Sequence, residues 1–537
     1  MMMMNSDDDK APRLCDDDKA PRLCDDDTKD DMETIQLSKE QTIALDIFKK
    51  GSNLFLTGPG GSGKTELIKK MVLIAHLKKR AVQVCALTGC AAILLKTNGG
   101  FGAKTIHSWA GVGLCKDTVY NVVDRVVKNK YKSAVWKKAD ILIVDEVSMM
   151  SKKLFEILDK IGRATRKRND KPFGGIQVIF SGDFYQLPPV GDLDDESTSA
   201  FCFESETWNS TFGPECIVQL KTIFRQTDKD YSDILNQIRV GKLKKSAYDK
   251  LMTRVISSSL TRDITSSSLT RDITSSSLRE IGIKPTIMLP KRKDVELINS
   301  TEMAKLATTT SGSTNSSSSS IDNKKKEFLM TVVEDFPSYG TFYSKSKSKS
   351  KEESSLFALE VSDQTKFKEM EIKFLKENVM VSEKIILMIG TQVMCVANID
   401  MDSSTPIVNG SQGIVTQFSK EGLPMVRFSN GKERMIGYHV WNSENIKWLG
   451  VRQIPLIYSW AITIHKSQGV SLDFAEIDAG SNIFECGQTY VALSRVKTLE
   501  GLFLTSFNPQ KIMVDKKVKG FYESIILHED YTDRKEK

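Results

Sequence analysis

The stretch Gly58-Pro59-Gly60-Gly61-Ser62-Gly63-Lys64-Thr65 has the composition of a polyphosphate cradle. Glycines let successive backbone N–H groups turn inward around an anion, and a helix opening just after them adds the partial positive charge of its N-terminus. The apolar run Asn53 to Thr57 precedes the glycines and the helix-like run Glu66 to His76 follows them, which is the strand, loop, helix order such a cradle needs. In that setting Lys64 can reach the β- and γ-phosphates and the Thr65 hydroxyl can bind Mg²⁺. A nucleoside triphosphate site is expected, with Gly58, Gly60, Gly61, Ser62, Gly63, Lys64 and Thr65 around the phosphates.

Asp145 and Glu146 close a second apolar run, Ile141 to Val144. A carboxylate there can hold Mg²⁺, and its neighbour can act as general base on an attacking water. Phosphoryl transfer needs chiefly positioning and charge stabilisation, so one metal, one lysine and one base form a sufficient core. Gln186, past the next strand end in Gly182-Asp183-Phe184-Tyr185-Gln186-Leu187-Pro188-Pro189, is a neutral amide suited to sensing the γ-phosphate. Arg225 in Thr222-Ile223-Phe224-Arg225-Gln226 and Arg495 in Tyr490 to Arg495 are candidate arginine fingers. Gly469, which ends Thr463 to Gly469, is placed with the nucleotide site. Gln41 has two readings: it completes a capping box with Ser38 at a helix start, or it also hydrogen-bonds an adenine edge.

Two similar polar clusters, Thr105-Ile106-His107-Ser108 and Thr463-Ile464-His465-Lys466, can line a groove for a sugar–phosphate backbone. Thr88, Thr105, His107, Thr463, His465 and Lys466 are the expected nucleic-acid contacts. Phe101, Trp109 and Phe184 are candidate platforms on which bases stack.

The elements that must position these residues alternate. Strands are expected at Ala81 to Leu87, Ile141 to Val144 and Ile176 to Phe180, with a helix from Lys152 to Arg168. Runs this apolar, separated by helices, indicate a parallel sheet covered on both faces, with ligands at the carboxyl ends of its strands. A second α/β pattern includes strands at Thr286 to Leu289, Gln392 to Ala397, Leu456 to Ala461, Phe474 to Ile477 and Leu502 to Thr505. Residues 408–455 alternate apolar with polar among many glycines, as a small antiparallel module does. The expected division is 37–220 for the first domain, 221–407 with 456–537 for the second, and 408–455 for the insertion.

Composition sets the outer bounds. Residues 7–24 repeat a charged, proline-bearing nonapeptide, and 1–36 read as a disordered acidic tail. Low-complexity inserts are expected at 256–280 and 307–354. The tail holds twelve Asp/Glu and five Lys/Arg, so the remainder carries +14 of a net +7, which suits a polyanionic partner. The nine cysteines form no Cys-x-x-Cys pair, so structural zinc is not expected and a reducing compartment is. No signal, transit or membrane-length apolar run is recognised, and a nuclear or cytoplasmic protein is expected.

Taken in order, GPGGSGKT, TGCAA, TIHSWAGVG, ILIVDEVSMM, PFGGIQVIFSGDFYQLPPV, FRQ, TIHKSQGVSLD and YVALSRV resemble a superfamily 1 DNA helicase of the Pif (petite integration frequency) type. Ser151 to Phe184, with Leu154, Phe155, Arg163 and Pro172 to Gln177, resembles this type more than the related RecD type. The resemblance covers about residues 37–255 and 283–520. It implies two RecA-like domains closing on ATP and Mg²⁺, a wedge near 110–138, an SH3-like fold for 408–455, and 5′→3′ movement on single-stranded DNA with opening of forked or tailed duplexes by a monomeric motor. Roles in replication, repair, recombination and telomere maintenance come with it. The alternative is a RecD-like translocase that remodels protein–DNA complexes without efficient unwinding. A nucleotide kinase would not need the second α/β pattern or the distal His465 and Arg495 runs.

Overall fold

The structure is a computed structural model. It describes residues 37–535 apart from 90, 93–94, 96–101, 114, 116, 193, 227, 257–281, 312–324, 335–360, 400–406, 444–445 and 447. The acidic tail, the 256–280 repeat beyond Ile256, and Phe101 therefore lie outside the described residues.

Six strands form the first sheet: β1 (Leu54–Thr57), β2 (Val82–Ala86), β3 (Ala103–Thr105), β4 (Ile141–Asp145), β5 (Gln177–Gly182) and β6 (Ile217–Gln219). Their spatial order is β3-β2-β4-β5-β1-β6, and every pairing is parallel. Alternate residues feed two different cores. Phe55, Leu142, Val144 and Phe180 face one, while Leu54, Leu56, Ile141, Ile143 and Ile179 face the other. Both faces are covered, which is why these strands read as unbroken apolar runs.

The second parallel sheet contains β7 (Thr286–Leu289), β8 (Ala461–Thr463), β9 (Ala475–Ala479) and β10 (Leu502–Phe507), in the order β8-β7-β9-β10. Met288, Ile462, Ile477 and Leu504 bury against Tyr231, Ile234, Leu235 and Ile238 of the helix Lys229–Arg239. The chain thus has the expected α/β class with two parallel-sheet units.

Strand pairing draws three boundaries differently from the sequence pattern. The antiparallel sheet is wider than 408–455: it begins with Gln392–Cys395 and ends with Leu456–Tyr458, which pair with each other. The single strand expected from Leu456 to Ala461 is two, one in each sheet. The chain changes sheets at Ser459, whose carbonyl accepts from Thr286 Oγ1 at 2.7 Å and Gln392 Nε2 at 3.0 Å. The stretch 307–354 is not wholly insert. Lys325–Leu329 pairs with Lys384–Met388, and Thr331–Glu334 pairs with Leu449–Gln453. Finally, the helix Lys516–Lys535 does not join the second unit. Val518, Tyr522 and Ile525 bury in the first unit's core, because that sheet face would otherwise be left uncovered there.

The signature between Ser151 and Gln177 builds structure. Ser151 caps the helix Lys152–Arg166 by accepting from Leu154 N at 3.2 Å. Asp159, buried in that helix, accepts from Phe173 N at 2.7 Å and from Arg163 Nε at 2.8 Å. Arg166 donates to the carbonyls of Gly174, Trp136, Lys137 and Ala139, so one arginine ties the turn and the hairpin helix Lys130–Lys138 to the same helix. Asp159→Ala would leave a buried N–H without its acceptor, at a cost of about 1–3 kcal/mol. A lowered melting temperature with unchanged nucleotide affinity is the expected outcome, read by thermal unfolding and nucleotide titration.

Candidate functional site

The phosphate loop leaves β1 and enters the helix Lys64–Leu77, with Gly63 as N-cap. Lys64 Nζ donates to the carbonyls of Gly58 at 2.8 Å and Pro59 at 3.0 Å. Gly61 has φ +81°, and a Cβ there would lie 2.4 Å from Arg225 Cβ, so both conformation and close approach require glycine. The Ser62 hydroxyl is buried and without a hydrogen-bond partner among the described residues, in a loop whose chemistry suits phosphate oxygens. Burial pushes the Lys64 ammonium down, while Asp183, Glu146 and Asp145 draw it back up.

Asp145 ends β4 beside this loop. Its Oδ1 accepts from Glu146 N at 3.0 Å. Glu146 adopts φ +57°, ψ +40°, a left-handed conformation that costs a residue with a Cβ roughly 1–2 kcal/mol. Its carboxylate accepts from Gln468 Nε2 of the second unit at 3.2 Å. Burial raises both carboxyls. The Asp145 charge raises Glu146 further, and Lys64 and Arg495 oppose this. Among the described residues there is no cluster of three or more His, Cys, Asp or Glu that could hold a metal.

The second unit forms the other wall. A methyl group added at Gly60 would lie 3.5 Å from Arg495 Nη2 and 3.7 Å from Arg225 Nη1. Both candidate fingers therefore stand over the same loop as Lys64. Arg495 is buried, with Nε donating to Val491 O at 2.9 Å and Nη2 to Ser494 Oγ at 2.8 Å. Burial and the Arg225 charge push its guanidinium down, against the pull of Glu146. Gln226 Nε2 reaches Ser494 O at 3.3 Å, so the Phe224 to Gln226 run is wedged between the loop and the helix Gln488–Leu493. Gln186 is buried, and Gly487 packs on its backbone: with φ +72°, a Cβ at Gly487 would meet Gln186 O at 2.4 Å. Gly469 is exposed, next to the Gln468 that holds Glu146.

The capping reading of Gln41 holds: its Oε1 accepts from Ser38 N at 3.0 Å, and Ser38 Oγ accepts from Gln41 N at 3.2 Å. Its free end is also at the loop, since a Cβ on Gly63 would lie 2.9 Å from Gln41 Nε2. Two neighbours escaped the sequence reading. Tyr490 accepts from Gly60 N at 2.9 Å through its hydroxyl. Phe224 is an exposed ring whose edge would lie 3.5 Å from a Cβ on Gly63. Both sit inside the runs quoted for Arg225 and Arg495, but an aromatic in such a run reads as core until the seam is seen.

The expected nucleic-acid residues cluster at strand ends. Thr88 follows β2 and Thr105 ends β3, at the sheet edge away from β1, and Thr463 ends β8. Each threonine Oγ1 accepts the amide three residues on, from Ala91, Ser108 and Lys466, at 3.2, 3.3 and 3.2 Å. That fixes the hydroxyl and leaves its own proton to donate. His107 and His465 are held below the usual imidazole range by burial, so neither supplies a positive charge at neutral pH; Lys466 is exposed. Two stacking platforms are corrected. Trp109 is 4% exposed and lies 4.6 Å from the Trp136 ring, and Phe184 is 2% exposed among Phe55, Phe203 and Phe521. Both are core rings whose faces are already covered. Trp109→Ala should destabilise the fold by about 3–5 kcal/mol, as for a large core ring removed. Loss of melting temperature is the expected sign.

Comparison with known proteins follows this geometry. The family described as PIF1-like helicase matches residues 36–249, and the DNA helicase Pif1 2B domain matches residues 372–418. The chain is 32% identical over 498 residues to ATP-dependent DNA helicase PIF1 of Xenopus laevis, covering 91% of this chain and 65% of that protein. It thus spans somewhat less than two thirds of that relative. It is 30% identical over 525 residues to ATP-dependent DNA helicase RRM3 of Saccharomyces cerevisiae, covering 91% of this chain and 68% of that protein. The Pif1 helicase from Bacteroides, in complex with ADP-AlF3 and ssDNA, superposes with a TM-score of 0.53 at 26% identity, over 93% of this chain and 98% of that one. With its phosphate loop, its two parallel-sheet units and these relatives agreeing, the chain belongs to the PIF1-like helicase family.

Proposed function

We propose that the chain is an ATP-driven DNA motor that moves 5′→3′ along single-stranded DNA and opens forked or tailed duplexes. The observation that carries this is the convergence of Arg225, Arg495 and Gln468 on the phosphate loop and Glu146 that the first unit supplies. Chemistry in such a seam cannot proceed without the two units pressing together, and a strand held across both is then gripped in turn. One chain supplies both walls, so a monomer is the proposed unit.

In this reading Lys64, Arg225 and Arg495 neutralise the γ-phosphate, Glu146 orients and deprotonates the attacking water, and Gln186 reports the phosphate to the seam. Gln41 and Phe224 hold the base. Thr65 and Asp145 would hold Mg²⁺. One hydroxyl and one carboxylate suit an ion that keeps most of its waters and takes its remaining ligands from phosphates, and the ion would supply charge neutralisation of the β- and γ-phosphates. The buried, unpartnered Ser62 hydroxyl supports a phosphate in the loop.

The hairpin of helices Val119–Lys128 and Lys130–Lys138 is the proposed wedge. Val122, Val126 and Trp136 anchor it, while Tyr120 and Tyr131 stay exposed among lysines. The strand runs across Thr88, Thr105, His107, Thr463, His465 and Lys466. Work on nuclear or cytoplasmic DNA fits a chain in whose described residues no helix is long and apolar enough to cross a membrane.

Unwinding of duplexes with a 5′ or a 3′ single-stranded tail tests the proposal. Opening of the 5′-tailed substrate only, abolished by Lys64→Ala, is expected; preference for the 3′ tail would refute the polarity. Displacement of a bound protein without duplex opening would instead favour the translocase. Arg225→Ala and Arg495→Ala should each keep nucleotide affinity and lower turnover by roughly 10³-fold or more, the range of an arginine finger. Because the histidines are neutral, His107→Gln should leave the slope of log affinity against log salt unchanged, whereas Lys466→Ala should reduce it by about one.

A further inference from the structure

The phosphate loop has a second connection to the far unit, through the C-terminal helix and Asp183. Tyr522, on the helix Lys516–Lys535, is 2% exposed. Its hydroxyl lies 2.6 Å from Thr57 Oγ1 and 3.3 Å from Asp183 Oδ1, and it accepts from Phe184 N at 3.2 Å. Thr57 is the last residue of β1, directly before Gly58. Asp183, which follows β5, is fully buried and takes both bonds of a forked pair: Arg239 Nε at 2.9 Å and Nη2 at 2.7 Å.

Arg239 belongs to the other unit. It ends the helix Lys229–Arg239, and Tyr231 of that helix donates to Leu493 O at 2.8 Å, on the helix that carries Tyr490. The Arg239 guanidinium stands 4.6 Å over the Tyr185 ring and 5.3 Å from that of Tyr522, and those two rings stack at 4.6 Å and 12°. A forked ion pair is geometrically specific, and breaking one between buried groups leaves an uncompensated charge.

We propose that the C-terminal helix is a strap which passes the position of the second unit to the phosphate loop, with Tyr522 and Arg239 as positioning residues. The path runs from the Tyr490 helix through Tyr231 to Arg239, then Asp183, the Tyr522 hydroxyl, Thr57 and Gly58. The Val518 and Ile525 side chains fasten the helix, and the Tyr522 hydroxyl transmits. Phenylalanine at 522 would keep the packing of the ring and remove only the hydroxyl, with its bonds to Thr57, Asp183 and Phe184 N.

The test is Tyr522→Phe in the full chain, which keeps the ring and its stack, with Arg239→Lys as the second variant. Amide hydrogen exchange of residues 57–64 is the first readout and does not depend on activity. ATP turnover with an oligothymidylate is the second, and it rests on the proposed motor function. Faster exchange across the loop, with DNA-stimulated kcat down about tenfold and the KM for ATP within about twofold, is the signature of an interaction that acts on turnover rather than on binding. Wild-type loop exchange together with wild-type kcat in both variants, whatever the change in melting temperature or in exchange of 516–525, overturns the strap. A wild-type protein that hydrolyses no ATP with DNA would overturn the motor reading instead, and the exchange measurement would still decide the strap.

Discussion

Putting an ammonium group into a crevice is the constraint on which the rest of this structure turns. Lys64 loses hydration, and a charge removed from water without partners is prohibitively unfavourable. The loop bends two of its own carbonyls onto that charge, and Asp145, Glu146 and Asp183 are gathered at neighbouring strand ends to face it. Those carboxylates in turn need cations. Arg239 takes Asp183, while Arg495 acts on Glu146 from across the seam. Four cations (Lys64, Arg225, Arg239, Arg495) thus meet three carboxylates, while burial disfavours charge on both sides, pushing Lys64, Arg225 and Arg495 down and Asp145 and Glu146 up. The imbalance leaves the crevice receptive to a polyanion.

The two units are joined by polar contacts that depend on angle and distance, over and above apolar area. Tyr490 on Gly60 and Gln468 on Glu146 are each single hydrogen bonds, of a kind that contributes about 0.5–1.5 kcal/mol net, or about 1.5–3 kcal/mol where one partner is charged. Bonds of that size exchange partners readily. The forked Arg239–Asp183 pair, packed against the stacked Tyr185 and Tyr522 rings, is a different class of contact, and it lies on the side of the seam where the C-terminal helix returns.

Legibility in the sequence followed how local each signal was. The phosphate loop, the Ser38–Gln41 cap and strands such as β1, β4 and β5 were readable because one segment contains the whole pattern. Lys64, Asp145, Glu146, Arg225 and Arg495 were readable as types and then proved to share one crevice. Tyr490, Phe224 and Arg239 were not, because each acquires its role only from a segment far away in the chain. Trp109 and Phe184 were misread for the converse reason: an aromatic near a polar run carries no mark of which way its ring turns, and here both turn inward. The strand pattern in Lys325–Glu334 was hidden by the Ser- and Lys-rich residues around it, and the final helix by an amphipathic face that names no partner.

The chain leaves the first sheet after β6, builds the second sheet, and comes home as the helix that covers Phe55 and Phe184. The visiting lobe is therefore hung like a door on two pins, one at its exit and one at its re-entry. Two crossings restrict the relative positions open to the lobes more than one crossing would.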